Sequence, residues 1–134
     1  MKPSLITIPT NQETSSPDYI LVIYQPLFSK ARPRLTRSGH AYMPAPYKMA
    51  QAEMRRQLRQ QWQEAPLDGP VRLSMTVFGE GRGDTDNIAG AFMDSAQGIV
   101  FTDDRVTVIP KLSIEWTKAS KAESKWVIEI TKLL

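Results

Sequence analysis

Residues 81–106 read GRGDTDNIAGAFMDSAQGIVFTDDRV, and the architecture of the 134-residue chain turns on how this stretch folds. Asp84 and Asp86 are two residues apart, and an extended backbone points such side chains to one side. Ile88, Phe92 and Ala96 then recur at helical spacing, which predicts a helix over residues 87–97 with Asp86 as N-cap and Gly98 just past its end. Gly90 in its interior opposes that helix by about 1 kcal/mol relative to alanine. Residues 99–101 are apolar and lead into Asp103 and Asp104, which a short return through Gly98 would bring up beside the first pair. Such a cluster repels itself unless a cation neutralises it or some members hold protons.

Upstream, residues 71–78 (VRLSMTVF) alternate and predict a strand with Val71, Leu73, Met75 and Val77 on one side. Tyr47, Ala50, Met54, Leu58 and Trp62 recur every three or four residues and predict a helix that Pro66 stops. Residues 19–25 (YILVIYQ) have the β-branched and aromatic content of a buried strand. Between them, residues 28–46 hold Pro33, Pro44 and Pro46, with Pro26 just ahead, and are expected to form a basic loop without helix. Downstream, residues 106–116 and 126–133 read as two more strands. The expected fold is one mixed α+β domain over residues 19–134, with a sheet of four to five strands and two helices, behind a loose tail or strand over residues 1–18.

The chain has no cysteine, which removes disulfides, thiolate catalysis and cysteine-held zinc and fits a reducing compartment, so a cytoplasmic location is expected. The apolar run after Met1 is too short for a signal peptide, and no run approaches the roughly 20 apolar residues of a membrane span. Net charge is only +3, yet residues 30–60 carry eight basic side chains against the single acid Glu53. A basic segment beside an acidic one suits a protein that holds a polyanion next to a cation-binding pocket. Trp62, Trp116 and Trp126 fall in apolar patterns and are read as packing residues.

Hard oxygen ligands such as clustered aspartates favour magnesium or manganese, and a magnesium ion commonly bridges carboxylates to phosphate. The chemistry that follows is phosphodiester hydrolysis, and on an extended strand only one member of the Asp103–Asp104 pair would face the site, Asp104 being preferred. A helix cap and a turn account equally well for the same spacing. An EF-hand loop does not, since Ile88 and Ala89 occupy the positions where it needs an oxygen ligand and a glycine. Other magnesium phosphotransfer enzymes with paired aspartates generally need a longer chain.

The stretch resembles the RusA family of Holliday junction resolvases. The resemblance rests on Asp84-Thr85-Asp86-Asn87, then Asp94, Gly98, an apolar strand expected at 99–101, Asp103-Asp104 and Val106. Arg32-Pro33-Arg34, Gly39, Tyr42, Pro44 and Tyr47 also look like the entry loop of phage-type members, and the similarity covers roughly residues 19–116. It implies a homodimer that binds four-way DNA junctions and makes paired magnesium-dependent nicks, with Asp84, Asp86 and Asp104 as catalytic metal ligands and manganese as a substitute ion. It further implies phosphate contacts from Lys30, Arg32, Arg34, Arg37, Lys48 and Arg82, with Asp103, Asn87 and Lys111 as additional candidates. The family usually carries a lysine four residues after the second aspartate, where this chain has Gly90. Arg82, Lys111 or Lys118 would then supply the cation from elsewhere; the alternative expectation is a junction-binding protein that cuts weakly or not at all.

Overall fold

The computed structural model describes residues 16–134, so residues 1–15 of the expected tail lie outside the described residues. In chain order the elements are β1 (Tyr19–Ile23), β2 (Arg34–Leu35), β3 (Ala41–Tyr42), α1 (Ala45–Gln61), β4 (Val71–Gly79), α2 (Thr85–Ala96), β5 (Lys111–Lys118) and β6 (Lys125–Lys132). A 3-10 turn at Lys121–Glu123 joins the last two strands. Four strands form a mixed sheet in the order β1-β6-β4-β5, while β2 and β3 make a separate small hairpin. The expectation of one α+β domain with two helices and a mixed sheet is met.

β4 organises the fold. Its alternation places Val71, Leu73, Met75 and Val77 in the core, as the period of a half-covered strand requires. It pairs antiparallel with β6, whose Trp126, Ile128 and Ile130 face the same core, and parallel with β5. A parallel neighbour needs a crossover, and α2 supplies it, running back along β4 from Gly79 toward the β4 start.

α1 begins at Ala45 with Pro46 in its first turn, where a missing N–H costs nothing, so this proline opens the helix instead of excluding it. Tyr47, Met54, Leu58 and Trp62 are buried as their spacing predicts. Gln57 is buried too: its amide and that of Gln61, one turn on, reach the outward backbone of β1. Gln57 accepts from Tyr24 N at 2.9 Å and donates to Tyr24 O at 3.2 Å; Gln61 accepts from Val22 N at 3.1 Å and donates to Val22 O at 2.8 Å.

Three expectations change in detail. Residues 99–101 are core but not a strand: Ile99 and Val100 both donate to Ala96 O, closing a tight turn around Gly98 at φ +83°. The strand expected from residue 106 begins at Lys111, because Val108 and Ile109 turn back onto Arg105 O and Pro110 has no N–H to offer a ladder. Trp116 is 46% exposed instead of packed in the core, whereas Trp62 and Trp126 are buried.

Candidate active site

The chain leaves β4 through Gly79 and enters α2 at Asp84, the N-cap residue, which is extended at φ −96° and ψ 145°. Its carbonyl accepts the first helical bond from Ile88 N at 2.9 Å. Asp84 therefore takes the cap position expected of Asp86, and Asp86 stands in the first helical turn, its Oδ1 accepting from Asn87 N at 2.9 Å. The two carboxylates still emerge within one turn of each other, through a helix start instead of a strand end. Both are exposed, and neither is in an ion pair among the described residues. Carboxylates here are also favoured by the partial positive charge of the helix N-terminus.

The second pair lies elsewhere. Asp103 Oδ1 accepts from Gln97 Nε2 at 3.4 Å, just past the last residue of α2, and the twelve residues of that helix span about 18 Å. Asp103 and Asp104 thus stand at the opposite end of α2 from Asp84 and Asp86, because the turn around Gly98 carries the chain toward the β4 start. Among the described residues no three acidic or histidine side chains come together closely enough to hold a metal ion. Asp103 is committed to Arg105 at 2.7 Å and to the Asp104 backbone N–H at 2.8 Å. Asp104 is exposed and in no ion pair among the described residues, which leaves it the available member of the pair. This donor set suits a hard cation that takes one or two carboxylates and keeps its waters, not a closed cage within one chain.

The basic side chains divide into two sets. Arg55 donates from Nη1 to Ser95 O at 2.8 Å and Gln97 O at 3.1 Å, satisfying carbonyls at the end of α2, and Arg56 is paired with Glu53 at 2.7 Å. These two arginines do structural work. Arg32, Arg34 and Arg37 belong to the β2–β3 hairpin segment, where every residue from 32 to 42 is exposed and Gly39 turns the chain at φ +88°. Lys30, Lys48 and Arg82 are likewise exposed, and none of these six cations is in an ion pair among the described residues. Lys111 opens β5 opposite Arg72, at the Asp104 end of the sheet, whereas Lys118 lies opposite Gly79, at the Asp84 end.

Beside the acidic helix start is a cavity of about 160 Å³ lined by Val77, Arg82, Ile88, Ile114 and Trp116. Trp116 Nε1 donates to Gly79 O at 3.1 Å, which fixes the ring as one wall. Sequence patterning marked this ring as a packing residue; it did not reveal that the ring sits on an edge strand, where it stays half exposed.

A small α+β domain with free carboxylates at a helix start and an exposed basic hairpin suits work on a polyanion. The family model for endodeoxyribonuclease RusA matches residues 24–131, and the chain belongs to this family of Holliday junction resolving endonucleases. The match bears out the resemblance carried by the 81–106 stretch. No curated protein matches the chain.

Proposed function

We propose that this chain is a magnesium-dependent endonuclease that nicks four-way DNA junctions as a homodimer, cytoplasmic in keeping with its lack of cysteine. The observation that carries the reading is the placement of free carboxylates at both ends of α2: Asp84 and Asp86 at the start, Asp104 beyond the end. Asp84 and Asp86 would hold the ion together. Asp104 is a helix length from its own chain's pair, so it serves a site only from a second copy, and a twofold dimer would build two such sites for two strands. The chemistry supplied by bound magnesium, or by manganese in its place, is polarisation of the phosphodiester and activation of water. Lys30, Arg32, Arg34, Arg37, Lys48 and Arg82 hold DNA phosphates without reading sequence; Asn87, Lys111 and Asp103 flank the two acidic ends in supporting roles.

The test mixes two inactive variants. Asp86→Asn and Asp104→Asn are each expected to abolish magnesium-dependent nicking of a synthetic four-way junction. Mixed and allowed to exchange subunits, they should recover activity, because one of the two composite sites in a mixed dimer keeps all three aspartates. A wild-type protein that nicks no junction with magnesium or manganese overturns the endonuclease reading; active wild type with no recovery on mixing overturns the shared site. Gly90 supports a second reading, a junction binder without cutting. That reading expects wild-type protein to shift junction DNA on a gel unnicked and Gly90→Lys to awaken cleavage.

A further inference from the structure

Lys30 lies along α2 in the space that a side chain at Gly90 would claim. A Cβ built on Gly90 would meet Lys30 Cδ at 3.5 Å and Lys30 Cβ at 3.8 Å, ordinary contact distances. The segment is anchored there by its backbone, since Lys30 N donates to Asn87 O at 2.8 Å in the first turn of the helix. Its neighbour Ser29 is packed the same way onto Gly83, where any Cβ would collide with the Ser29 hydroxyl and where φ is +89°. Residues 29 and 30 therefore lie against the helix start, Ser29 in space that only a glycine at 83 leaves and the Lys30 stem alongside Gly90.

Direction matters as much as proximity. Helical side chains lean toward the N-terminus, so a residue at position 90 covers the turn containing Asp86 and Asn87. The Lys30 stem lies against position 90 itself, and Lys30 is exposed with no ion-pair partner among the described residues. Arg82, on the Trp116 cavity, and Lys118, at the end of β5, also stand at the Asp84 end of the sheet, but neither comes within 4 Å of a Cβ at Gly90. We infer that Lys30 is the catalytic cation of this site, laid across Gly90 to hold a non-bridging oxygen of the phosphate that Asp84 and Asp86 address. This rests on the endonuclease reading. An ammonium is a compact point charge suited to phosphate, and a cation fixed before reaction stabilises the charge that builds on phosphorus oxygens at no reorganisation cost.

Lys30→Met keeps the stem on the helix and removes only the charge. Single-turnover cleavage of saturating junction is expected to fall about 100-fold or more, with an unchanged melting temperature. Moving the charge onto the helix, in Lys30→Ala/Gly90→Lys, should recover at least about tenfold over Lys30→Ala, since one cation then covers the same turn from the other side. Lys30→Met cutting within about threefold of wild type overturns the inference, as does a folded swap variant no faster than Lys30→Ala; where the swap does not fold, Lys30→Met alone decides. If wild type binds but never nicks, the endonuclease reading has failed by itself, and Lys30 is judged by metal-free binding. There, Lys30→Met should flatten the salt dependence of junction affinity by about one unit in log–log slope, and an unchanged slope overturns the phosphate contact as well.

Discussion

Asp94 puts a carboxylate into the seam between α1 and α2, and what meets it there is specific. Tyr47 Oη donates to Asp94 Oδ2 at 2.8 Å and Gln51 Nε2 donates to the same oxygen at 3.0 Å. Arg55 continues the line at four-residue spacing with its bonds to Ser95 O and Gln97 O, so one edge of α1 grips the second half of α2. This aspartate of the family pattern is a latch between helices, distant in role from Asp84 and Asp86. Burial, then the hydrogen bond to Asp94 and its charge, push the Tyr47 hydroxyl well above its ordinary pKa of 10. The sign follows: the folded protein retains the Tyr47 proton where the unfolded chain releases it, so its contribution is full below about pH 10 and is lost as pH rises further. Tyr47→Phe should cost about 1–2 kcal/mol at pH 7 by leaving Asp94 short of a donor. It should also flatten the fall in stability above pH 10. Denaturant titrations at neutral and alkaline pH measure both, and a variant as stable as wild type at pH 7 would show that the latch carries no load.

At the scale of elements, α2 does most of the positioning, and much of it was legible. The alternation of Val71 to Val77 announced β4, and Ile88, Phe92 and Ala96 announced the helix, because each pattern is a direct imprint of one buried face. The candidate site residues were legible as types, but their arrangement was not. Asp84 and Asp86 are both suited to capping, and only the Ile88 N to Asp84 O bond decides which caps. The turn around Gly98 looked like a route back to the first pair, yet Thr102 N bonds Leu67 O and draws the chain toward the start of β4. Lys30 was legible as a charge and not as a neighbour of Gly90, since sixty residues, with the β2–β3 hairpin, α1 and β4 among them, separate the two in sequence. The β2–β3 hairpin carries its own prediction. Arg32 and Arg34 are exposed and unpaired among the described residues, so replacing both with alanine should weaken junction binding and lower its salt slope by about one unit per lost phosphate contact. Titrating binding across a salt series checks this; a slope equal to wild type would assign the hairpin to some other task.

For the whole molecule, the shared-site reading requires that two chains associate at working concentrations. Sedimentation at micromolar concentration should then give twice the 15.1 kDa chain mass, and a species at the chain mass alone would remove the means of bringing Asp104 to a foreign Asp84–Asp86 pair. The sheet itself has unlike margins. On the β1 side, Gln57 and Gln61 occupy the outward N–H and C=O groups of Val22 and Tyr24, so a strand added along these residues must displace two glutamines. On the other side β5 pairs only with β4 among the described residues, and it presents Leu112 and Trp116 half exposed. Exposed edges invite strand-by-strand growth, and growth without limit requires two of them. Margins this unlike favour joining two copies along β5 over adding strands in both directions.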